Sequence, residues 1–133
     1  MYNLESENNC TLYIVNCTLN EGVAAAMTAK EKAWLKKVKT NLILQHDEDD
    51  TLLLGNIAAA VSYAETYQHR PGGHYKKAAM APTTEQAVVM LASHFYEARD
   101  GSTGGFFGDN TNAAANVWQT VNRLLILERE VKL

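Results

Sequence analysis

Between residues 48 and 68 the apolar side chains Leu53, Ile57, Ala60, Ala64 and Tyr67 step by four, three, four and three. Only an α helix sets such a series on one face, so one continuous amphipathic helix is predicted from about Glu48 to Gln68. At 1.5 Å per residue that helix is roughly 30 Å long. A helix of this length is stable only when its apolar stripe is covered, and alanines beside the stripe let neighbouring helices approach closely.

Three further segments repeat every three or four residues. In "TAKEKAWLKKVKTNL", Thr28 and Glu31 have the spacing of a capping box. Trp34, Leu35, Val38 and Leu42 follow as an apolar face, with Lys30, Lys32, Lys36, Lys37 and Lys39 expected outside it. After Pro82, Thr83 and Gln86 have capping-box spacing, and Ala87, Val88, Leu91, Ala92, Phe95 and Tyr96 form the next face. The last helix is expected to start at Asn110, Thr111 or Asn112 and to bury Val117, Trp118, Val121, Leu124 and Leu125. The sequence therefore predicts an all-α domain over residues 27–133, with about four helices and one long central helix. Residues 1–26 differ in character. Their "TLYIVNCTL" suits a short strand in an irregular N-terminal extension, either an added arm or a start placed upstream of Met27.

Composition limits the function. The chain has 133 residues, 47% hydrophobic and 20% charged, with a net charge of -3. That balance excludes disorder and gives no global attraction to nucleic acid. No apolar run approaches the roughly 20 residues of a membrane span. Cys10 and Cys17 are too few for a disulfide scaffold, and Glu5 and Glu7 stand where a signal peptide needs basic residues. A cytosolic chain with free thiols is expected.

Four consecutive acids, Asp47, Glu48, Asp49 and Asp50, are the most site-like feature. As a calcium loop counted from Asp47 they fail, because the sixth and twelfth positions are Leu52 and Ala58. A helix start explains them better: Asp47 as cap and the other three in the first turn, at the positive end of the helix dipole. Acids in one turn also point in diverging directions, away from a common ion. His46, His69, His74 and His94 lack zinc-site spacing and are expected in loops, with one packed on a helix. No nucleophile, base and orienting group occur together, so neither catalysis nor a cofactor is expected. A small metal-dependent enzyme is the weakest reading.

Two loops suit binding. "QHRPGGHYKKAAMAP" carries Arg70, Lys76 and Lys77 with no acid between residues 66 and 84. It reads as a solvated connection, or as a basic finger meeting phosphate without base readout. "DGSTGGFFGDN" carries Phe106 and Phe107, which either tuck onto the core or dock into a partner. A helix-turn-helix reader is disfavoured, since four carboxylates at a helix start would repel DNA.

The order of these pieces resembles the head–tail connector proteins of tailed bacteriophages. In "LKKVKTNLILQHDEDDTLLLGNIAAAVSYAETYQHR", Asp47, Asp49, Asp50, Leu52, Leu53, Ile57, Ala59, Ala60, Tyr63 and Tyr67 fit that family's pattern. Pro82, Ala87, Leu91, His94, Tyr96, Glu97 and Arg99 fit its next helix, and "VWQTVNRLLILERE" resembles its closing one. The resemblance covers about residues 28 to 129 and leaves the first 26 outside. It implies a structural virion protein, assembled in the bacterial host cytoplasm of a phage or prophage. Its subunits are expected to form a ring, a dodecamer, beneath the portal protein, with double-stranded DNA passing through. The ring would carry the next head-completion or tail protein. Arg70, Lys76 and Lys77 are then candidate DNA-channel contacts. The competing class is a small helical DNA-binding or regulatory protein acting as a dimer.

Overall fold

A computed structural model describes residues 27–99 and 112–131 of the chain. Helix α1 (Ala29–Leu42) opens with the expected box. Thr28 N–H donates to Glu31 Oε2 at 2.8 Å, and Glu31 N–H donates to Thr28 Oγ1 at 3.2 Å. Trp34, Leu35 and Val38 are buried, while Lys32, Lys36 and Lys37 stay exposed. Lys39 departs from that exterior, with a side chain only 16% exposed.

Helix α2 (Asp50–Tyr67) starts two residues later than its periodicity suggested and buries Leu53, Ile57, Ala60 and Ala64. It ends in a Schellman turn before reaching Pro71. Arg70 N–H donates to Glu65 O at 2.8 Å and His69 N–H to Thr66 O at 3.2 Å, with His69 at φ 60. Helix α1 ends the same way: Leu44 N–H donates to Lys39 O at 3.0 Å, with Ile43 at φ 58. Glycine usually fills this left-handed position. A β-branched residue there is an outlier, at a strain on the order of 1 kcal/mol or more.

The segment read as an open basic loop contains a one-turn helix, α3 (His74–Lys77), entered through Gly73 at φ 80. Helix α4 (Pro82–Glu97) follows. Its cap is Ala81, not the Thr83 expected from the T-x-x-Q spacing, because Pro82 at the first helical position already has the required φ. The neighbouring Thr84 is buried in the core. Helix α5 (Ala113–Ile126) begins after Asn112, one of the three caps expected, and buries Val121 and Leu125.

Side-chain bonds fix the topology. Gln68 meets Thr84 and Asp49 meets Tyr96, so α4 runs antiparallel to α2. Tyr63 meets Asn122 and Gln68 meets Leu125, so α5 runs parallel to α2. Helix α1 lies along α4, where Lys37 pairs with Glu85 and Asn41 Nδ2 donates to Ser93 Oγ at 2.8 Å. The fold is all-α, with five helices and no strand among the described residues. The short strand expected before residue 27 lies outside them. Leu53, Leu91, Leu125, Val38, Val88 and Val121 are fully buried. Each contributes roughly 1.5–3 kcal/mol, against about 0–1 for an exposed ion pair, so apolar packing and not the lysine-rich exterior of α1 holds the bundle. No described helix is long and apolar enough to cross a membrane.

Candidate functional site

The two ends of α2 carry opposite chemistry. At its start, Asp49 occupies the cap position with no side-chain capping bond, and Asp50 lies in the first turn. Asp47 is not the cap. Its carboxylate accepts from Lys39 Nζ at 2.6 Å, and Asp50 pairs with the same ammonium. Asp49 accepts instead from the Tyr96 hydroxyl of α4, and Glu48 is exposed. Two of these acids thus converge on one cation, where divergence was expected. The cause is the left-handed turn at Ile43, which brings the last turn of α1 back beside the first of α2. Asp49 and Asp50 retain the favourable dipole position.

These bonds leave a pH signature. Hydrogen bonding to Asp47, then to Asp50, raises the Lys39 ammonium above the ordinary lysine range. The same bond lowers Asp47 below the ordinary carboxylate range. Tyr96 is raised, first by its bond to Asp49 and then by burial. A carboxylate lowered on folding contributes stability above about pH 4 and loses it as pH falls through the lowered value. A lysine raised on folding contributes fully up to its unfolded value and loses that only at strongly alkaline pH. The stability difference between wild type and Lys39→Met should therefore be flat from about pH 5 to 9 and shrink below about pH 4. Urea melts across that range check it. The effect is modest, because Asp47 is 88% exposed.

At the other end of α2, two buried polar residues organise everything beyond the helix. Glu65 is 5% exposed. Its Oε2 accepts from Gly73 N–H and its Oε1 from Tyr75 N–H, each at 2.9 Å. It thereby caps α3 from outside. Gln68 is 0% exposed. Its Nε2 donates to Thr84 Oγ1 at 2.9 Å and to Leu125 O at 3.0 Å, and its Oε1 accepts from the Tyr75 hydroxyl. Its backbone carbonyl accepts from Glu130 N–H at 3.0 Å. One side chain therefore joins α2, α3, α4 and α5.

The three basic residues expected to act together are separated here. Lys76 and Lys77 are exposed on α3 and form no ion pair among the described residues. Arg70 turns to the C-terminal segment, 3.7 Å from the Glu130 carboxylate and 3.5 Å from Glu128 O. Beside it, His69 Nδ1 lies 3.1 Å from Glu130 O and its Nε2 2.7 Å from Arg129. Arg129 also lies over the Tyr67 ring. His69, expected as a bland loop histidine, thus helps clasp the tail. His94 is the one packed on a helix, edge-on to Trp118 at 6.1 Å.

Gln68 and Glu65 were absent from the residues singled out by sequence, although Gln68 carried a signal. It sits four residues after Ala64, where the apolar stripe would continue. Phe106 and Phe107 lie outside the described residues. Among the described residues, no three His, Cys, Asp or Glu side chains are grouped to hold a metal ion.

What remains is a helical domain with an acidic corner, a pair of exposed lysines on a one-turn helix and a clasped tail. A family model described as phage gp6-like head-tail connector protein matches residues 32–128. No curated protein and no solved structure matches the chain.

Proposed function

The chain belongs to the phage gp6-like head-tail connector family, a structural component of the virion that joins head to tail, and on that premise we propose how it does so. Its subunits close into a ring beneath the portal protein, a dodecamer, which extends the DNA channel. The ring forms in the host cytoplasm and offers a platform to the next head-completion or tail protein. The observation that carries this reading is the family match across most of the chain. Head-to-tail association of one subunit type closes into a ring when its rotation closes.

Lys76 and Lys77 are the residues assigned to the DNA. They are exposed on a turn that the Glu65 carboxylate holds to the bundle. Lysine contacts to phosphate carry no sequence information, which suits a channel through which every base pair passes. Arg70 is assigned to the tail, given its contacts with Glu128 and Glu130.

Electron microscopy of the protein alone and mixed with a phage portal tests the ring. Rings, or subunits added beneath the portal, are the expected result. A stable dimer that retards free DNA would replace this reading with that of a regulator. For the lysines, Lys76→Gln with Lys77→Gln should leave assembly intact and weaken DNA retention in filled heads, most visibly at low salt. Unchanged retention would remove that assignment.

A further inference from the structure

The turn that carries Lys76 and Lys77 is entered through two glycines, and only one of them is required by the conformation. His74 N–H donates to Pro71 O at 3.1 Å, closing a turn in which Gly73 takes the third position at φ 80 and ψ 7. Those are the angles of a type II turn, which glycine adopts there without strain. Gly72 takes the second position and lies outside the left-handed region. Most residues fit that position, and proline favours it. A Cβ added at Gly72 meets nothing within 4 Å. Neither backbone angle nor space calls for glycine at 72. What glycine adds there is access to other backbone conformations.

The attachment of the turn suits such movement. Helix α3 has four residues and is tied to α2 at two points, Gly73 and Tyr75. Their N–H groups donate to the two oxygens of Glu65, and the Tyr75 hydroxyl reaches Gln68. Lys76 and Lys77 follow directly and are exposed. Beyond them the chain is extended at Ala78 and again at Ala81, so no continuous helix couples α3 to α4.

We infer that residues 73–77 form a flap, with Gly72 as its hinge and the Glu65 carboxylate as its catch. This rests on the reading of Lys76 and Lys77 as DNA contacts and adds how they reach the phosphates. A duplex repeats along its axis only about every 34 Å, so identical subunits around it meet the backbone at different heights. A fixed lysine pair would match few of those positions. A pair on a flap can follow them, at the cost of releasing Glu65.

Hydrogen exchange of the full chain, as wild type and as Gly72→Ala, tests the flap. The substitution enters open space, so the fold should persist. In wild type, the Gly73 and Tyr75 amides should exchange about a hundredfold faster than those of Val88 and Leu91 in the α4 core, through a local opening. Alanine at 72 restricts the open state, so Gly72→Ala should slow exchange at both amides about two- to fivefold. Wild-type exchange at Gly73 and Tyr75 as slow as in the core overturns the flap. So does a rate that Gly72→Ala leaves unchanged or raises. The DNA reading fails separately, through unchanged retention in filled heads once both lysines are neutralised.

Discussion

Replacing Gln68 with leucine should destabilise the bundle by roughly 3 kcal/mol, a fall in melting temperature of about 10 °C or more for a domain of this size. The substitution keeps the volume and removes every polar partner at once. The Tyr75 hydroxyl, the Thr84 hydroxyl and the Leu125 carbonyl, which also accepts from Glu128 N–H, all meet this amide, which is 0% exposed. A buried polar group without a partner costs about 1–3 kcal/mol, whereas a satisfied bond contributes about 1 net. The penalty is therefore set by the partners left behind more than by the bonds lost. Thr84→Val provides the contrast, since it removes one partner and leaves the Gln68 amide bonded to Leu125. It should cost about 1 kcal/mol. Comparable losses for the two variants in urea melts would show that Gln68 acts only through Thr84.

Glu65→Ala is expected to cost about 2 kcal/mol and to act more locally. A buried carboxylate is tolerated only when its oxygens are bonded, and here each accepts one backbone N–H. Losing both removes the bonds that tie the Gly73 and Tyr75 N–H groups to α2 and loosens α3. Hydrogen exchange at those two amides should accelerate well beyond that at the α4 core. Glu65→Gln keeps one acceptor oxygen and should give roughly half the loss. If exchange at Gly73 and Tyr75 stays slow in Glu65→Ala, the carboxylate is not what holds the turn. The variant also tests the lysines, because Lys76 and Lys77 are on the turn it loosens.

The helices were readable because periodicity reports burial, and burial in this chain follows one stripe per helix. Leu53, Ile57, Ala60 and Ala64 are buried as their spacing requires, as are Val121 and Leu125. Boundaries were less readable. Asp47 has every property of a cap, yet Lys39, eight residues earlier, takes its carboxylate. Local spacing does not reveal a partner on another element. Thr83 looked like a cap until Pro82 fixed the start two residues sooner, with Ala81 as cap. The left-handed turns were hidden because isoleucine and histidine occupy positions where glycine would have marked them. The side chains of Glu65, Gln68 and His69 bond to atoms seven to 61 residues away, and no local pattern records such distances. The basic cluster was visible as a charge pattern, while its division into a tail-holding arginine and two outward lysines followed from the position of Glu130.

The bonds of Gln68 also span very unequal lengths of chain. Tyr75 is seven residues away, Thr84 sixteen and Leu125 fifty-seven. Closing the longest loop requires α4 and α5 already in place, and long-range pairings form late because their loop entropy comes first. The amide should therefore be completed after the folding transition state, as the last fastening of the bundle. Gln68→Leu would then raise the unfolding rate far more than it slows folding. The same residue that joins four helices at equilibrium would set how long an isolated subunit stays folded before its neighbours arrive.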